Sequence, residues 1–85
     1  APDLKSLTTF LTSLREALPT LALSKDDQAE LSAEVETLDV QAKSPRPKAS
    51  IIKESLRSVR SILEGAAGAA AGQLLLAQVT KLLGG

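Results

Sequence analysis

Ser44–Gln73 reads SPRPKASIIKESLRSVRSILEGAAGAAAGQ, and the whole chain can be read outward from it. It opens on a rigid Pro-x-Pro break, runs through a basic amphipathic segment, and ends in alanines and glycines with almost no polar side. Ile52, Leu56, Val59, Leu63 and Ala66 recur at spacings of three and four, with Ile51 and Ile62 widening the stripe. That period predicts a helix with one buried face over about 48–64. Pro47 suits its first turn, where a missing amide costs nothing. From Gly65 on, the sidedness disappears. A helix that is apolar all round has to be covered, by its own chain or by another.

The second apolar segment holds the glycine–alanine run and then Leu74, Leu75, Leu76, Ala77, Val79, Leu82 and Leu83. Glycine weakens a helix by about 1 kcal/mol relative to alanine, while the alanines favour it. We therefore expect helix over about 66–83, either separate from the preceding one or continuous with it through a bend near Gly65–Gly68. Gly84–Gly85 supplies its end. Gly68-Ala-Ala-Ala-Gly72 has the small-xxx-small spacing that lets a second backbone approach closely. On that ground Gly65, Gly68, Gly72, Leu75, Leu76, Val79 and Leu82 are the candidate interface between copies of the chain.

Upstream, Leu31, Val35, Leu38 and Ala42 are spaced four, three and four, predicting a helix over about 25–42. Ser24-Lys-Asp-Asp27 resembles a capping box at its start. Its other faces carry Asp26, Glu30, Glu34 and Glu36. The connection through Ser44–Pro47 is short enough that this helix and the next should be antiparallel neighbours. In such a hairpin Glu34 falls level with Arg57, and Glu30 with Arg60. We expect these as interhelical ion pairs, each contributing about 0.2–1 kcal/mol if exposed. At the start of the chain, Leu4, Leu7, Leu11, Leu14 and Leu18 form a further stripe beside Phe10, capped by Asp3 and stopped by Pro19. This predicts a helix over about 4–18, and Ala1–Pro2 reads as a linker remnant. The fold class is all-α: an antiparallel bundle of three or four helices forming a single module over 1–85.

Composition narrows the function. Eighty-five residues bury only about 60–65% of the surface an unfolded chain exposes, so a single copy is marginal and association would help it. No cysteine is present to staple it. His, Cys, Met, Trp and Tyr are all missing and Phe10 is the only aromatic. The usual general base, thiol nucleophile and most metal ligands are thus unavailable, and we expect no enzyme, metal site or cofactor. Residues 1–42 carry three cations against eight carboxylates, net −5, and residues 43–85 carry seven against two, net +5. The basic set Arg46, Lys48, Lys53, Arg57 and Arg60 contains no nucleic-acid recognition motif and no interleaved aromatic, which disfavours nucleic acid as a partner. The uncharged run from Gly65 to Thr80 is 16 residues, about 24 Å as a helix against a hydrocarbon core of about 30 Å, which disfavours membrane spanning.

The string LSKDDQAELSAEVETLDVQAKSPRPKASIIKESLRSVRSILEGAAG, Leu23–Gly68, resembles a C-terminal helical module of diverse bacterial proteins, some of the AbiTii abortive-infection type. The likeness rests on the Leu-Ser-acidic helix start, Ser44-Pro-Arg-Pro47, Ile51-Ile52-Lys53 and Ile62-Leu63-Glu64-Gly65-Ala66-Ala67-Gly68. Where that family continues with Asn and larger aliphatics, this chain has Ala69-Ala70-Ala71. The resemblance implies the C-terminal part of a longer, phage-defence-like protein whose effector or sensor domain lies elsewhere, and the lack of cysteine fits a reducing cytoplasm. Together with the sequence pattern, it makes the expected function homo-oligomerisation that clusters the attached domains, with the chain itself as partner and no small-molecule substrate. The alternatives are a membrane-active last helix released on triggering, and an adaptor for a different protein.

Overall fold

A computed structural model describes residues 3–66 and 68–84. The readings of Ala1–Pro2, Ala67 and Gly85 lie outside those residues. The chain forms an all-α bundle of four helices, with no strand among the described residues: α1, Leu4–Ala17; α2, Lys25–Lys43; α3, Ala49–Glu64; and α4, Ala70–Leu82. Each helix packs on its chain neighbours, and α4 also packs on α1, so the ring closes around one core. Leu7, Leu11 and Leu14 of α1 meet Leu31 and Leu38 of α2, Leu56, Val59 and Leu63 of α3, and Val79 of α4 there.

The two expected caps form. Asp3 Oδ1 accepts from the Lys5 amide at 3.2 Å, and Ser24 Oγ accepts from the Asp27 amide at 3.1 Å. Each satisfies an amide that has no partner within its own helix. Pro47, expected inside the first turn of α3, lies outside the helix. Lys48 is the extended N-cap instead, its amide donating to Gln41 Oε1 at 2.8 Å. That bond holds the five-residue connection to the last turn of α2 and makes α2 and α3 an antiparallel hairpin.

The connection from α1 to α2 is not a tight hairpin. Leu18–Thr20 forms a short 3-10 turn, and Leu18 shares a surface depression with Ser32, Val35 and Asp39 of α2. Those residues lie roughly 10–20 Å along α2 from its start. The segment Leu18–Ser24 therefore runs back alongside α2, burying Leu21 as it goes.

Helices α3 and α4 are separate, which settles the alternative left open by the sequence. Gly65 caps α3, its amide donating to the Ile62 and Leu63 carbonyls, and Ala66 donates to Leu63 at 2.9 Å. The chain then turns, and Ala69, extended at φ −92° and ψ 144°, starts α4. A continuous helix would have carried Leu75 and Val79 away from the core. Breaking it at the glycines sacrifices a few helical hydrogen bonds but buries both side chains, each contributing about 1.5–3 kcal/mol.

Candidate functional site

Helix α4 carries two interleaved stripes. Gly72, Leu75, Val79 and Leu82 are spaced three, four and three and turn inward. Leu75 and Val79 are 2% and 0% exposed, Gly72 is buried, and Leu82 and the neighbouring Leu76 are half-buried against the core. Ala70, Leu74, Ala77 and Lys81 are spaced four, three and four and face outward, all exposed, with Leu74 at 63%. The candidate interface read from the sequence is thus largely the inner stripe, occupied by the protein's own core.

The glycines divide in the same way. A Cβ built on Gly72 would overlap the Ala66 carbonyl oxygen and lie 2.8 Å from the carbonyl carbon. The close backbone approach anticipated for a second copy is made here within one chain, between α4 and the turn after α3. Gly68 lies in that turn rather than on α4, is exposed, and has nothing within 4 Å of a would-be Cβ. Gly65 is exposed at the end of α3. Gly68 and Gly72 therefore do not form a single helical small-residue ridge.

Among the described residues the exposed large apolar side chains are Leu4, Val40 and Leu74. Val40 stands alone on α2, with Glu36, Thr37 and Lys43 one turn away. Isolated exposure of that kind needs no explanation. Leu74 differs because the α4 surface around it, Ala70, Gln73 and Ala77, carries no charge before Lys81. Of the 20 charged residues in the chain, 15 fall between Lys25 and Glu64, on α2, α3 and their connection. The bundle thus has a heavily charged side and a nearly neutral one. The sequence does not separate the two stripes of α4, because both have helical spacing and neither carries a charge before Lys81.

The expected ion pairs Glu34–Arg57 and Glu30–Arg60 do not form within 4 Å. The pairs made among the described residues are Arg15–Asp39 at 3.2 Å and Lys43–Asp39 at 3.0 Å. An ion pair across a hairpin requires a shared level along it and also the right rotation about each helix axis. Counting about 100° per residue, Arg57 lies roughly 160° from the buried stripe of α3, on its exposed side. Glu30 is likewise exposed. Asp39 instead ties α1 to α2 and pairs with Lys43 one turn further along its own helix. The Lys43 ammonium, and after it the Arg15 guanidinium, holds the Asp39 carboxyl below the usual carboxylate range.

No group of three or more Asp and Glu residues that could hold a metal ion occurs among the described residues. No helix among them is long and apolar enough to cross a membrane, α4 being 13 residues, about 20 Å. A groove about 640 Å³ in volume lies between the start of α1 and the end of α4. Comparison with protein-family models, with curated proteins and with solved structures finds no match for this chain.

Proposed function

We propose that this chain is an assembly module that associates with copies of itself through the outer face of α4, centred on Leu74. The observation that carries this reading is the contrast between faces. Where α2 presents mostly carboxylates and α3 mostly cations to water, α4 presents Ala70, Leu74 and Ala77, a stripe with no charge to desolvate. Alanine on both sides of Leu74 leaves room for a helix of a second copy to approach and cover the leucine. A two-fold contact of this kind is self-complementary, since Leu74 of each copy meets the same surface of the other.

The purpose of such a module is to gather what is attached to it. Domains joined to associated copies reach effective concentrations of about millimolar through short flexible linkers, without any new contact of their own. The resemblance to the C-terminal module of AbiTii-type proteins supports effector or sensor domains of a bacterial phage-defence protein, acting in the cytoplasm, as the attached cargo.

Light scattering with refractive-index detection tests the reading directly, because the chain lacks Trp and Tyr. A mass at a stable multiple of 8.8 kDa is expected, falling to that of one chain in Leu74→Lys with helicity unchanged. A wild-type chain that stays monomeric at every accessible concentration refutes it.

A further inference from the structure

The uncharged surface around Leu74 has an opposite charge at each end. Its stripe, Ala70, Leu74 and Ala77, finishes at Lys81, an exposed cation and the one charged residue of α4. At the other end α3 finishes at Glu64, also exposed, two residues before the Ala66 carbonyl against which Gly72 packs. The 16 residues between the two charges, Gly65–Thr80, carry none.

Within one chain these two charges cannot neutralise each other. Lys81 lies roughly 16 Å along α4 from Ala70, at the end remote from Glu64. Neither residue makes an ion pair within 4 Å among the described residues, although Arg60 stands one turn before Glu64 on α3. Lys5 and Asp3 line the groove beside Lys81 and offset one another, so that end of the stripe keeps a positive charge.

We propose that a second copy docks on this face antiparallel, α4 against α4, with Lys81 of each copy beside Glu64 of the other. The inference rests on self-association through Leu74 and fixes its orientation. With the two helices crossing at Leu74, Lys81 lies about 10 Å past the crossing, whereas Ala70 of the other copy lies only about 6 Å from it. Lys81 therefore reaches beyond the start of the other α4, toward the end of the α3 that precedes it. A parallel contact would instead set Lys81 against Lys81 and Glu64 against Glu64, with the two helix dipoles aligned. Exposed ion pairs contribute little, so these two select the orientation, while covering Leu74 drives the association.

Orientation decides how attached domains are held. The start of α1 shares a groove with the end of α4 and so lies near Lys81. In the antiparallel pair the two Lys81 positions are about 20 Å apart along the contact. A domain joined ahead of α1 in each copy is therefore held at its own end of the pair, not side by side with the other.

Dissociation constants of the full chain, from light scattering over a concentration series, test the orientation. Lys81→Gln and Glu64→Gln each remove an exposed charge outside the core. Each should weaken association about two- to tenfold at low salt with helicity unchanged, and the difference should fade by about 1 M salt. Lys81→Glu combined with Glu64→Lys should recover the association lost in either single swap. A parallel contact predicts the opposite, tighter association in Lys81→Gln. Tightening, no change in either single variant, or no recovery in the double swap overturns the orientation while the Leu74 contact stands. A wild-type chain that stays monomeric, or a mass unaltered by Leu74→Lys, overturns both.

Discussion

Replacing Gly72 by alanine tests the central packing claim with one methyl group. An ideal Cβ there overlaps the Ala66 carbonyl oxygen and sits 2.8 Å from the carbonyl carbon and 3.4 Å from the Ala66 Cβ. Normal carbon contacts begin at about 3.5 Å, so α4 has to retreat by roughly 1 Å. No side-chain rotation relieves the clash, because the obstacle is backbone. The same carbonyl accepts from the Ala69 amide at 3.1 Å and holds the turn together. Retreat of α4 also loosens Leu75 and Val79, which are 2% and 0% exposed. Overpacking of this kind costs about 1–3 kcal/mol, and the better helix propensity of alanine returns at most about 1 kcal/mol. A net loss of about 1–2 kcal/mol follows, lowering Tm by roughly 5–15 °C in a domain of this size. Urea and thermal unfolding followed by far-UV circular dichroism measure it. Gly68→Ala is the matched control. With nothing within 4 Å of its Cβ and no positive φ, it should be neutral or stabilising by up to about 1 kcal/mol. Wild-type stability in Gly72→Ala, or an equal loss in both variants, would refute the close approach.

Four further outcomes are expected. Leu75→Ala removes a core side chain, not an interface one, and should cost about 2–4 kcal/mol even under conditions where the chain is monomeric. A double-mutant cycle of Arg57→Glu with Glu34→Arg should give a coupling energy within about 0.3–0.5 kcal/mol of zero, because the two side chains do not pair; a larger coupling would restore the abandoned ion pair. Gln41→Ala should destabilise by about 0.5–1.5 kcal/mol through loss of the acceptor for the Lys48 amide, whereas Gln41→Glu keeps an acceptor and should lose less. Asp39 has a folded pKa below its unfolded value, so its contribution is complete above the unfolded pKa and disappears as pH falls through the folded one. Asp39→Asn should therefore flatten the acid limb of the stability–pH curve below about pH 4, and carboxyl NMR titration of Asp39 should show the lowered midpoint directly.

The sequence by itself determined the helices and their inward stripes wherever apolar and polar residues alternate with helical period. Leu7, Leu11 and Leu14, or Leu56, Val59 and Leu63, could bury only one way, because the opposite faces carry charges or hydroxyls. Local capping was legible for the same reason: Asp3 and Ser24 act on amides two and three residues away. Tertiary structure decided what the sequence left degenerate. In α4 both stripes are uncharged as far as Lys81, so periodicity could not choose between Leu75 and Leu74, and only packing against α1 and α3 did. The break after Glu64 was likewise a tertiary choice, since glycine permits a turn without requiring one and the burial of Val79 lies outside the local chain. The pairing of charges was the least legible element. It depends on rotation about each helix axis, and one residue of error turns a side chain by about 100°. That is why Asp39 meets Arg15 of α1 while Arg57 of α3, on the exposed side of its helix, makes no ion pair with Glu34.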